Sequence, residues 1–138
     1  MRLKGAYIVV YASHETDENG NVTCVHVTYD PATRSGECER KVKGTLHFVP
    51  AGAAVPAQFR LYEDLLDPAA DPELDFTERL NRHSLSVLSG FVEPAAAAAA
   101  PGTTFQFLRV GYFCADPLGT PERPVFNRAV GLKDSFKG

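Results

Sequence analysis

Tryptophan is absent from the 138 residues, methionine occurs once, and cysteine appears only at Cys24, Cys38 and Cys114. An odd number of thiols with no Cys-x-x-Cys pair supports neither a disulfide framework nor a thiolate zinc site, so all three are expected to be free. No apolar run approaches the roughly 20 residues that cross a bilayer, and Met1-Arg2-Leu3-Lys4-Gly5 lacks the apolar stretch of a secretory signal. A cytoplasmic protein with no membrane partner is the expectation. The phosphate-binding Gly-x-x-x-x-Gly-Lys loop, the dinucleotide Gly-x-Gly-x-x-Gly turn and the Gly-x-Ser-x-Gly nucleophile elbow are all missing. His14, His26, His47 and His83 lie on different predicted elements without metal-ligand spacing, and Ser84, Ser86 and Ser89 are only sequence neighbours of His83. No catalytic, cofactor-binding or metal-ligating residue is assigned, and the chain alone is expected to be non-catalytic.

A hydrophobic fraction of 44% suffices for a core, while 10 prolines and 11 glycines favour turns over helices. The expected class is all-β, or mainly β with one or two short helices. The net charge of −3 gives no overall attraction for phosphate, but the charge is unevenly spread. Seven acids and no Lys or Arg lie between Glu63 and Glu78, whereas Arg40, Lys41 and Lys43 cluster and the last third carries Arg109, Arg123, Arg128, Lys133 and Lys137. A bipolar surface is expected, with an acidic side facing water and a basic side available for phosphate.

Along the chain, Ala6 to Ala12 is apolar and β-branched, as in a strand covered on both faces. Asn19-Gly20 marks a tight turn before a returning strand, Val22 to Tyr29. Lys41 to Val49 alternates and predicts a strand with Lys41 and Lys43 on its wet face. A further strand spans Ala57 to Tyr62, an acidic loop follows, Asp75 caps a short helix through Asn81, and Leu85 to Val92 is the next strand. Six alanines, Ala95 to Ala100, stop at Pro101-Gly102 and predict one or two helical turns. About seven strands with two short helical pieces suggest a barrel or sandwich.

The chain is organised around its last third. Phe105-Gln106-Phe107-Leu108-Arg109-Val110-Gly111-Tyr112-Phe113-Cys114-Ala115-Asp116 and Pro124-Val125-Phe126-Asn127-Arg128-Ala129-Val130-Gly131-Leu132-Lys133-Asp134-Ser135 read as two strands joined by a loop marked with Pro and Gly. Gln106, Arg109, Asn127 and Arg128 are polar residues set among apolar ones, where a function can sit. Aromatics such as Phe105, Phe107, Tyr112 and Phe113 serve either as core or as stacking platforms.

These two stretches resemble the closing segment of bacterial glutaminyl-tRNA synthetases. Further matches are Arg2 to Tyr7, Thr28 to Pro31, Arg40 to His47, Arg60 to Tyr62 and Gly90 to Pro94, in order along the whole chain. The resemblance implies antiparallel β-barrels of the glutaminyl/glutamyl anticodon-binding type, a barrel kind also found in a ribosomal protein. It implies a distal barrel over about 5–103 and returning proximal-barrel strands over about 104–138, whose other strands lie upstream. The family's catalytic Rossmann domain, with its ATP and Mg chemistry, carries signatures that this sequence lacks, so no cofactor is expected here. The implied partners are the anticodon loop of tRNA(Gln) and the catalytic domain of the same polypeptide, not DNA.

By position, Arg2 matches the arginine beside the first anticodon base, and Gln106 matches the glutamine that helps read the middle one. Arg109 and Lys133 match basic residues near the anticodon loop, where they contact phosphate. Phe48 and Phe136 replace tryptophans common in the family. Two alternatives stand beside this reading: a stand-alone RNA- or protein-binding β-barrel module, and the matching domain of a glutamyl-type synthetase.

Overall fold

The structure, a computed structural model, describes residues 1–132. It divides into two compact units, Met1–Phe48 and the chain from Val49 onward. Nine strands, one short α-helix and one 3-10 turn make the described chain mainly β. Among the described residues no helix is long and apolar enough to cross a membrane.

The first unit holds β1 (Arg2–Leu3), β2 (Ile8–Thr16), β3 (Val22–Asp30) and β4 (Thr45–Leu46), in the order β3-β2-β1-β4. The β2–β3 hairpin forms because Gly20 takes a φ of 81° in the turn and Asp17 accepts from the amides of Asn19 and Asn21 and from the Asn21 side chain. Those same donors, the Asn21 side chain first, hold the Asp17 carboxyl below its ordinary pKa.

Two expectations fail here. Only Ile8 and Val9 of β2 are buried, and Val10 and Tyr11 are 56% and 60% exposed, so β2 is not covered on both faces by the described chain. The strand predicted over Lys41 to Val49 shrinks to β4, since among the described residues its one ladder partner, β1, offers two residues to pair with.

The second unit holds β5 (Val55–Tyr62), β6 (Leu85–Val92), α1 (Pro94–Ala97), β7 (Thr104–Phe107), β8 (Gly111–Ala115) and β9 (Val125–Gly131). Their sheet runs β6-β5-β9-β8-β7. Strands from before and after residue 103 share this sheet. The sheets are not purely antiparallel, because β1 pairs β4 and β5 pairs β9 in parallel.

The core of this unit gathers Ala57, Val92, Ala97, Phe113, Ala115 and Phe126, with Phe59, Phe105 and Phe107 packed against it. Alternation along β7 and β8 sends Phe105, Phe107 and Phe113 inward, and α1 adds Ala97 to the core. The helix predicted from Asp75 is a single turn. The Asp75 carboxylate does accept from the Thr77 amide and hydroxyl, but a bridge between Leu66 and Leu80 pulls the chain out of helical geometry.

Candidate nucleic-acid interface

What reads in sequence as one strand from Phe105 to Asp116 is a hairpin, β7 and β8, turning through Leu108-Arg109-Val110. With Phe105, Phe107 and Phe113 facing the core, Gln106 and Tyr112 face outward and lie directly opposite each other. Tyr112 in turn lies opposite the exposed Val130 on β9. Paired residues stand about 4.5–5.5 Å apart at Cβ, so an amide and a phenol ring share one patch. Neither the Gln106 amide nor the Tyr112 hydroxyl bonds any described residue. A primary amide offers a donor and an acceptor to a base edge, and a neighbouring ring offers a face for stacking.

Arg109 sits at the tip of the hairpin with a φ of 65°, the one positive-φ residue other than glycine among those described. The turn closes through the Val110 amide donating to Phe107 O at 2.9 Å. A left-handed conformation costs an L-residue about 1–2 kcal/mol, and the Arg109 side chain makes no compensating bond to any described residue. Its side chain is exposed at the tip of the turn. Replacing Arg109 with glycine is therefore expected to stabilise the second unit by about 0.5–1 kcal/mol, after glycine's extra unfolded-state entropy is counted. Urea midpoints of the two proteins check this; a destabilised variant would show that the arginine side chain holds the turn.

Asn127 and Arg128, singled out from sequence beside Gln106 and Arg109, belong instead to the framework. The Asn127 amide donates to Asp116 Oδ2 at 2.6 Å and its oxygen accepts from the Tyr62 hydroxyl at 3.3 Å. Arg60 pairs with Asp116 at 3.2 Å, and Arg128 pairs with Glu63 at 2.6 Å. The Leu118 amide, then Asn127, then Arg60 hold the Asp116 carboxyl below its ordinary pKa against partial burial. It is a fixed anionic acceptor at neutral pH that ties β5 to β9 and to the loop before β9. Sequence reading missed it, because Arg60 and Asn127 come to Asp116 only through the pairing of β5 and β8 with β9.

In the first unit, Arg2 extends from β1 into a groove of about 420 Å³, lined also by Ser35, Gly36, Cys38, Arg40, Lys41, Val42 and Thr45. Its guanidinium donates to the carbonyls of Thr33 at 3.0 Å and Arg40 at 3.1 Å. Thr33 is itself fixed: it is 2% exposed, its hydroxyl donates to Asp30 O at 2.6 Å and accepts from the Ile8 amide at 2.9 Å. Arg2 is thus half-buried on a rigid support with donors left over.

Lys41 lines this groove rather than the wet face of a strand, and Arg40 reaches Asp30 at 3.4 Å. Cations and hydroxyls around one concavity suit an anionic or hydrogen-bonding ligand. Gln106 and Arg109 thus share one hairpin of the second unit, Arg2 belongs to the first unit, and Lys133 lies outside the described residues. Cys24, Cys38 and Cys114 are free thiols.

An exposed amide beside an aromatic ring, an exposed arginine at a hairpin tip and a second arginine at a groove are the equipment of a recognition module. Residues 45–116 match the family described as tRNA synthetases class I (E and Q), anti-codon binding domain, and the chain belongs to that family. It is similar to the glutamine–tRNA ligase of Clostridium perfringens, 50% identical over 142 residues, which takes in 99% of this chain and 26% of that protein. The corresponding enzyme of Clostridioides difficile is 50% identical over 143 residues, covering 99% of this chain and 26% of the enzyme. That of Vibrio cholerae is 46% identical over 140 residues, covering 99% and 25%. The chain spans about a quarter of the length of these relatives.

Proposed function

We propose that this chain is the anticodon-binding region of a glutaminyl-tRNA synthetase. It holds the anticodon loop of tRNA(Gln) while the catalytic domain of the same polypeptide joins glutamine to the tRNA with ATP. Similarity to glutamine–tRNA ligases over 99% of the chain supports the glutaminyl over the glutamyl type. The two sheets are read as parts of the barrels of this anticodon-binding type.

The observation that carries the recognition role is the exposed Gln106 amide opposite Tyr112. Gln106 reads the middle anticodon base, with the phenol ring available for stacking. Arg2, fixed by Thr33 and Arg40, lies beside the first base, where a planar guanidinium gives a multi-donor contact. Arg109 and Lys133 contact phosphate and contribute affinity that does not depend on the base.

The test is Gln106→Ala in the full-length synthetase, with aminoacylation measured on tRNAs that differ only at the middle anticodon base. Discrimination at that base is expected to weaken by about 1–3 kcal/mol, the scale of one well-formed base contact. Equal losses for every middle base would remove Gln106 from base reading.

A further inference from the structure

Outside the proposed tRNA-facing residues, the β2–β3 hairpin brings three metal-ligating side chains together. Glu15 lies opposite Cys24 in the ladder, and Ser13 lies opposite His26, so Glu15, Cys24 and His26 share one face. Their ligand atoms all lie within 4.8 Å of one another, and His26 Nε2 stands 2.7 Å from Glu15 Oε1. His14 is on the opposite face, where its Nδ1 bonds the Tyr11 hydroxyl at 2.6 Å. We propose that Glu15, Cys24 and His26 form a zinc site that clips β2 to β3.

The donor set is one thiolate, one imidazole and one carboxylate, each a regular zinc ligand. With metal–ligand bonds of about 2.0–2.3 Å, tetrahedral coordination needs ligand atoms roughly 3.3–3.7 Å apart. The cluster must therefore open slightly at the His26–Glu15 contact and close elsewhere by about an ångström, which staggered rotamers of exposed side chains can supply. Zinc binding replaces the His26–Glu15 hydrogen bond and displaces the Cys24 thiol proton to solvent, with neutral His26 ligating through Nε2 and keeping its proton on Nδ1. Three protein ligands leave a fourth position to water. Sequence spacing hides the site, because the third ligand comes from the neighbouring strand through the register of the ladder.

The test uses the full chain with Zn²⁺ alone. Alkylation of each cysteine is followed by peptide mass spectrometry with and without the metal, which needs no variant. Cys24 is expected to react at least ~10-fold more slowly with Zn²⁺ bound while Cys38 and Cys114 are unchanged. Calorimetric titration should show one equivalent of Zn²⁺, with affinity falling at least ~10-fold in Cys24→Ser and in His26→Gln, since even losing an outer-shell partner costs that much. Cys38→Ser should bind as the parent does. Equal alkylation of Cys24 with and without Zn²⁺, no binding, or binding that survives both ligand substitutions would each overturn the proposal.

Discussion

Replacing Phe126 with alanine is expected to destabilise the second unit by about 3–5 kcal/mol, the range for emptying a buried phenylalanine site. Phe126 is 0% exposed and touches three rings: Phe59 stacks on it at 5.8 Å, while Phe107 and Phe105 meet it edge-on at 5.3 Å and 5.9 Å. Each such aromatic pair adds about 0.5–1.5 kcal/mol beyond the area it buries, so the upper part of the range applies. The ring also sits where β5, β8 and β9 meet, since Phe126 pairs with Phe59 on one side and Ala115 on the other. Little backbone freedom remains to collapse the cavity. Urea unfolding of the variant measures the loss. The control is Leu118→Ala, whose side chain is among the most exposed apolar groups at 73% and should change stability by no more than about 0.5 kcal/mol. A Phe126→Ala cost near that of the control would mean that the aromatic cluster does not hold the sheet together.

Gly111→Ala is expected to cost about 2–4 kcal/mol, through two separate effects. Gly111 opens β8 with a φ of 155°, which L-residues rarely adopt, and a Cβ placed there would lie 2.9 Å from the carbonyl oxygen of Val130. The obstacle is paired backbone at the end of the β8–β9 ladder, so it cannot swing aside as a side chain would. Gly102→Ala separates the effects: its φ is 84°, yet nothing lies within 4 Å of an added Cβ, so it carries the conformational cost alone, about 1–2 kcal/mol. Gly111→Ala should also loosen the hairpin that carries Gln106 and Arg109. Hydrogen exchange should then rise at the amides of β7 and β8 more than at those of β6. Equal costs for the two glycine variants would show that the ladder yields to the methyl group.

Local signals were legible in the sequence, and signals that depend on distant partners were not. The β2–β3 hairpin was readable because Asn19-Gly20 supplies its turn chemistry in place. The β7–β8 hairpin was not, because its tip uses Arg109 in a conformation usually left to glycine or asparagine, and the stretch reads as one long apolar strand. Alternation alone placed Gln106 opposite in sense to Phe105 and Phe107, so the outward face of the site could be foreseen once a strand was assumed. It could not tell Gln106 from Asn127: both are amides on strands, but Asp116 and Tyr62 occupy Asn127. The predicted strand from Lys41 failed because strand length depends on the partner, and β1 is two residues long. The same dependence on register separated Glu15 from Cys24 and His26 in the sequence and joined them in the fold.

The parallel pairing of β5 with β9 has a consequence for synthesis. β5–β6 and β7–β8–β9 are each antiparallel arrays of strands near one another in the chain, and each can zip up soon after its residues appear. They meet along a single seam, Gln58 to Arg60 against Val125 to Asn127, between segments far apart in the chain. Loop closure of that length is slow, so the seam sets the pace of assembly. While the ribosome is still making the second array, the first waits with the β5 edge bare, a row of unpaired backbone groups open to mispairing with another nascent chain.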